Sequence, residues 1–253
     1  MDDIAVARRA LSLLDLTELS DACSEAAVEK LCAQAVGKHG KVAAVCIWPQ
    51  FIKFARRLLS NQGVRIATVV NFPSGAAPIE QVVDDTSECV GDGADEIDLV
   101  LPYKAFLSGD EKFARQMVEE IDQSLPDGVL LKVILETGEY PDQAAVARAS
   151  RLAINAGADF IKTSTGKSKV SATPDAARTM LEAIKASGKP VGLKPSGGIR
   201  TVADARIYLS LADEIMGPGW AKPMTFRFGA SGLLTAINST IEGTGDAATK
   251  AAY

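Results

Sequence analysis

Apolar residues along this chain gather into short dense clusters, and between the clusters they recur every three or four positions. The clusters are Val42–Ile47, Arg65–Val70, Glu96–Leu101, Val129–Leu135, Asp159–Thr163, Val191–Lys194, Asp213–Met216 and Thr225–Gly229. Their length and β-branched content predict strands. The stretches Pro78–Val90, Glu111–Ser124, Asp142–Ala156, Pro174–Ser187 and Thr201–Ala212 carry the period of amphipathic helices. Eight strands alternating with helices over about two hundred residues predict an α/β fold, a (β/α)8 TIM barrel. An open doubly wound sheet is the competitor. It usually carries a Gly-rich turn after its first strand, whereas Ile47 here runs into Trp48-Pro49-Gln50.

The ends decorate this barrel. Asp2–Val36 reads as two helices ahead of the first strand, broken around Asp15-Leu16-Thr17. The boundaries expected are helices over 1–38, the barrel over 42–242 and a flexible tail over 243–253, rich in Gly, Ala and Thr. With no linker and no change of composition, the chain reads as one domain. Gly93-Ala94-Asp95 and Gly157-Ala158-Asp159 both stand just before a strand, as shared helix-exit chemistry would place them.

Composition narrows the function. The chain has 253 residues, 47% of them hydrophobic, enough to bury a core without a disulfide or a metal. A net charge of −5 and 6% aromatic content point away from nucleic acid. Cys23, Cys32, Cys46 and Cys89 form no C-x-x-C pair and His39 is the single histidine, so neither a structural zinc site nor His-based zinc catalysis is expected. No cofactor is expected. Scattered thiols, an acidic start and no long apolar run predict a cytoplasmic protein without membrane contact.

Charge inside apolar strands is the chemical signal. Asp98 lies in the third strand read from the sequence, Lys162 in the fifth and Lys194 in the sixth. Lys and Asp are almost never buried unless paired. A free lysine has a pKa of about 10.4, and a nucleophilic one needs a value of roughly 7–8. Burial or a second cation can supply that drop, so a lysine pair is what activation of an amine requires. The plainer alternative makes Lys162 and Lys194 salt-bridge partners of Asp98, Asp15 or Glu96. Lys132 is read only in that plainer way. Cys46 reads as a small buried hydrophobe, His39 as a loop residue, and Glu136 and Glu139 as rim or helix N-terminal carboxylates.

Three small-residue turns suggest a phosphate site. Thr163-Ser164-Thr165-Gly166-Lys167, Ser196-Gly197-Gly198 and Gly229-Ala230-Ser231-Gly232 each follow a predicted strand. Such turns present backbone N–H groups to an anion, and barrel enzymes often hold phosphate near their last strands.

Several of these segments resemble the deoxyribose-phosphate aldolases. They are Leu14-Asp-Leu-Thr, Val45-Cys-Ile, Ala67-Thr-Val-Val-Asn-Phe-Pro, Gly93-Ala-Asp-Glu-Ile-Asp, Lys132-Val-Ile-Leu-Glu-Thr-Gly, Phe160-Ile-Lys-Thr-Ser-Thr-Gly, Lys194-Pro-Ser-Gly-Gly-Ile-Arg and Arg227-Phe-Gly-Ala-Ser. The resemblance implies a metal-independent class I aldolase that reversibly cleaves 2-deoxy-D-ribose 5-phosphate to D-glyceraldehyde 3-phosphate and acetaldehyde. It implies Lys162 as the Schiff-base lysine, Lys194 as the lysine that perturbs it and Asp98 as proton relay. It further implies substrate contacts at Asp15, Thr17, Thr165, Gly166, Lys167, Gly197, Gly198, Ser231 and Gly232, proton transfer by Tyr253, and a homo-oligomer.

The chain departs from that family in two places. Ser231-Gly232 stands where many members have two serines, so one hydroxyl is missing from the last phosphate turn. Trp48 stands where tyrosine is common. The alternatives are a related aldolase preferring unphosphorylated deoxyribose or another aldehyde, and a silent sugar-phosphate-binding barrel.

Overall fold

The computed structural model describes residues 2–244. The tail read from the sequence as flexible begins at its edge, and Tyr253 lies outside the described residues. Eight parallel strands form one sheet: β1 (Leu14–Glu18), β2 (Ala44–Ile47), β3 (Arg65–Val70), β4 (Glu96–Val100), β5 (Leu130–Ile134), β6 (Phe160–Lys162), β7 (Gly192–Lys194) and β8 (Phe228–Ala230). Their order runs β8-β1-β2-β3-β4-β5-β6-β7. Bridges Leu193–Phe226 and Ser196–Gly229 join β7 to β8 and close the barrel.

Helix α1 (Asp3–Ser12) precedes the barrel. Helices α2 (Glu25–Ala35), α3 (Ile52–Leu58), α4 (Ile79–Gly91), α5 (Tyr103–Leu107), α6 (Glu111–Ser124), α7 (Gln143–Asn155), α8 (Pro174–Ser187), α9 (Val202–Met216) and α10 (Leu233–Glu242) connect or follow the strands. In α6 the buried residues Ala114, Met117, Val118 and Ile121 share one face, and the Asp110 side chain caps it by accepting from Phe113 N–H. Burying each larger side chain of that face stabilises the fold by about 1.5–3 kcal/mol. The outward strand residues meet these faces: Leu14, Leu16, Ile97, Leu99, Leu131, Val133, Ile161 and Leu193 are all buried in one apolar core.

Two sequence expectations are corrected. Leu14–Glu18, read as a break between helices, is the first strand and pairs on both sides. Asp213–Met216, read as a strand, is the last turn of α9. Leu209, Ala212 and Ile215 carry the helix's buried face through that turn, and the chain enters β8 only at Phe228. Asp98 therefore sits on the fourth strand, Lys162 on the sixth and Lys194 on the seventh. The barrel begins at residue 14 rather than 42.

The repeated Gly-Ala-Asp phrase has one structural use. Gly93 and Gly157 both have positive φ. Asp95 then accepts from Ile66 N–H and Asp159 from Leu131 N–H, both at 2.8 Å, so each aspartate ties a helix exit to the neighbouring strand.

Candidate active site

Side chains alternate across each strand, so the residues flanking the outward apolar ones point into the barrel. The inward set contains Asp15 of β1, Glu96 and Asp98 of β4, Lys132 of β5, Lys162 of β6 and Lys194 of β7, with Arg227 just before β8. All are buried, with Lys162 at 2% exposure. A barrel interior is ordinarily filled by branched apolar residues. Here it is filled by charge.

Asp98 is the hub. Its Oδ1 accepts from Lys132 Nζ at 2.7 Å, and its Oδ2 lies 2.7 Å from both Lys162 Nζ and Lys194 Nζ. The two ammonium positions therefore stand no further apart than twice that distance. Lys194 has a second carboxylate, with Asp15 Oδ2 at 2.6 Å. Lys132 has Glu96 Oε2 at 2.6 Å. Arg227 bridges Asp15 Oδ1 at 2.6 Å and Glu96 Oε1 at 2.7 Å.

Counting charge is instructive. Four buried basic groups face three buried carboxylates, and Lys162 is the one basic group whose single carboxylate is already shared by two other lysines. Burial pushes the Lys162 amine down; Asp98 opposes this, Lys194 reinforces it, and the net shift is downward. Lys194 is also disfavoured by burial, but Asp15 and Asp98 more than reverse the effect and raise it. Lys132 is raised in the same way, by Asp98 and Glu96. For Asp98 burial acts upward, and the three lysines overcome it to hold the carboxyl well below its usual range. One amine is thus held below its ordinary value beside two that are held above theirs.

The plain reading of Lys132 as a salt-bridge partner agrees with this geometry. Cys46 is fully buried, its Sγ 4.0 Å from Asp98 Oδ2, and burial pushes its thiol up. His39 pairs with Glu242 at the end of α10.

A cavity of about 740 Å³ opens at the carboxyl ends of β1, β6, β7 and β8. Thr17, Thr165, Gly166, Lys167, Gly197, Gly198, Ser231 and Gly232 all line it. Not all offer a free donor. Thr17 Oγ1 donates to Asp15 O, Gly197 N–H to Gly229 O, and both Thr165 donors go to Glu136. Among the described residues the N–H groups of Gly166, Gly198, Ser231 and Gly232 donate to no protein group. Lys167 Nζ rests 5.9 Å from the Trp48 ring centroid and 3.4 Å from Asp21, and Arg200 adds a second cation to the wall. Trp48 in turn donates to Ser20 O and meets Phe72 edge-on.

Sequence reading named Glu96 only as an alternative salt-bridge partner of the lysines, gave Arg227 no part in the charged interior, and put Glu136 at the rim or a helix start, whereas it is buried beneath the β6 turn. Charge within Glu96-Ile-Asp was a usable signal for Glu96. Arg227 carried the same signal, a charge between Phe226 and Phe228 inside the predicted strand Thr225–Gly229, and was passed over.

The model of the DeoC/LacD family aldolases matches residues 9–235. The chain belongs to this family. This aldolase is 53% identical to a deoxyribose-phosphate aldolase of Agrobacterium fabrum over 234 residues, which is 92% of this chain and 90% of the relative. In structure it is similar to a Toxoplasma gondii ME49 protein assigned as a deoxyribose-phosphate aldolase, with a TM-score of 0.88 at 25% identity over 95% of this chain and 97% of the other. It is likewise similar to the deoxyribose phosphate aldolase of Aeropyrum pernix, a tetramer, with a TM-score of 0.77 at 25% identity over 94% and 97%.

Proposed function

We propose that this aldolase reversibly cleaves 2-deoxy-D-ribose 5-phosphate to D-glyceraldehyde 3-phosphate and acetaldehyde through a Schiff base on Lys162. The observation that carries the proposal is Asp98 Oδ2, shared by Lys162 and Lys194 inside a group with one basic residue in excess. A neutral Lys162 amine attacks the C1 carbonyl of the open-chain sugar. Asp98 relays the proton lost by the amine to the carbonyl oxygen, and a second proton drawn from solvent lets the resulting hydroxyl leave as water. The iminium then draws electrons from the C2–C3 bond while the C3 hydroxyl gives up its proton. Cleavage falls at C2–C3 and not at C3–C4, since a break at C3–C4 would leave a three-carbon fragment on the lysine. The three-carbon aldehyde phosphate departs. Protonation of the two-carbon enamine at its C2 and hydrolysis of the resulting iminium release acetaldehyde and restore the amine. Lys194 stays charged throughout and keeps the amine of its neighbour acidic enough to be free.

The phosphate is assigned to the cavity at β6, β7 and β8. Four unpaired N–H groups there, two of them at the start of α10, form an anion nest with Lys167 and Arg200 on its wall. The chain is read as one domain acting on small molecules, cytoplasmic, and assembled as a homo-oligomer by analogy with the tetrameric relative. Among the described residues no helix is long and apolar enough to cross a membrane.

Borohydride reduction with acetaldehyde tests the proposal. The reduced adduct is expected on Lys162, and Lys162→Ala is expected to abolish both the adduct and acetaldehyde release. A label on another lysine refutes the assignment. Tight binding of the sugar phosphate with no adduct at all would favour a silent binding barrel.

A further inference from the structure

The turn that follows β6 is braced from below by a residue of the turn that follows β5. Glu136 is 2% exposed and adopts a left-handed backbone, φ 59°, that residues other than glycine seldom take. Its carboxylate gathers three donors. Thr165 N–H lies 3.2 and 3.4 Å from the two oxygens, the Thr165 hydroxyl donates to Oε2 at 2.5 Å, and the Ser168 hydroxyl donates to Oε1 at 3.0 Å. Thr165 Oγ1 then accepts from Lys167 N–H at 3.0 Å. The two turns are also locked by shape: a Cβ on Gly138 would stand 2.2 Å from the Val170 carbonyl oxygen. Thr137 N–H donates to Thr163 O at 2.8 Å across the same seam.

We infer that Glu136 is a positioning residue for the phosphate, acting through Thr165. By absorbing both Thr165 donors, the carboxylate fixes the turn in the one arrangement that leaves Gly166 N–H and the Lys167 side chain facing the cavity. A carboxylate suits this role because it only accepts, and every partner it meets is a donor. An amide in its place would turn one donor toward another. The phosphate then enters a turn already in its bound shape, and no ordering of that turn has to be offset by binding. The inference rests on the reading of this cavity as the phosphate site, so its test separates the two.

The experiment is calorimetric titration of the full chain with inorganic phosphate, together with kcat/KM for deoxyribose 5-phosphate and for free deoxyribose. Glu136→Ala is expected to weaken phosphate by about tenfold or more and to lower the ratio of the two kcat/KM values by a similar factor. Glu136→Gln keeps the length and one acceptor, and it should lose less. It also serves as the folded variant if the alanine does not fold. The double variant Glu136→Ala/Thr165→Val should be no worse than Glu136→Ala alone, because the two residues act as one unit. Unchanged phosphate affinity, equal losses on both sugars, or additive losses in the double variant would overturn the inference. So would a wild-type chain that does not bind phosphate. A wild-type chain that binds phosphate but cleaves neither sugar would overturn the aldolase reading and leave Glu136 in its role.

Discussion

Lys194 and Asp15 meet at 2.6 Å inside the barrel, and neither is exposed to solvent. That contact, with Asp98 on the other side, raises the Lys194 amine and makes it a fixed positive charge beside Lys162. Lys194→Leu removes the cation and leaves two carboxylates that Lys162 must then help to neutralise. The Lys162 pKa rises, less of the amine is free at neutral pH, and the rate falls. The acid limb of the kcat/KM profile is expected to move to higher pH by about one to three units. An unmoved limb would remove Lys194 from this role.

Arg227 joins Asp15 to Glu96 at the bottom of the charged interior. Arg227→Met keeps most of the volume but takes one buried cation from both Asp15 and Glu96, leaving only Lys194 and Lys132 to hold them. Breaking a buried ion pair in this way is expected to cost about 3–5 kcal/mol of stability. Urea unfolding measures it. A loss below about 1 kcal/mol, the range of an exposed pair, would show that the arginine holds nothing together.

The carboxyls of Asp15, Glu96 and Asp98 are each pushed up by burial but drawn further down by the basic groups around them. A carboxyl depressed on folding stabilises the protein above its unfolded pKa of about 4 and loses that contribution as pH falls toward its folded value. Lys162, lowered instead, adds stability as pH rises from its folded value toward about 10.4. The urea midpoint should therefore drop steeply below about pH 4, and Asp15→Asn should make that branch shallower. An identical acid branch in the variant would contradict the network.

Gly232 has an ordinary backbone conformation, φ −90°, and a Cβ there would touch nothing. Serine fits at this helix start without strain and is a preferred cap. Gly232→Ser adds a donor to the phosphate turn and should lower KM for deoxyribose 5-phosphate by about 2- to 10-fold, the worth of one hydrogen bond. No change in KM would show that the phosphate lies elsewhere.

Much of this was legible in the sequence because strands and helices announce themselves by different periods. Pro174–Ser187 is the same helix in the sequence and in the structure. Leu14–Glu18 escaped because a strand this short, with two acidic residues, carries too little apolar pattern; its neighbours on both sides define it. Asp213–Met216 misled for the opposite reason, since four residues cannot separate a strand from a helix's last turn. One barrel strand missed and one invented left the barrel's count at eight. The lysines were visible because charge in an apolar run is anomalous. Glu136 was not, since its meaning comes from Thr165, which lies across a loop boundary.

The position of β1 also bears on how the molecule is made. Leu14 pairs with Phe228, so during synthesis β1 waits for β8, the last of the eight barrel strands, before its second edge is covered. Until then the growing sheet carries two open edges, and folding must end on a contact between remote parts of the chain, the slowest and most aggregation-exposed kind. Truncation just before Arg227 would leave seven barrel strands, two raw edges and Asp15 without its arginine.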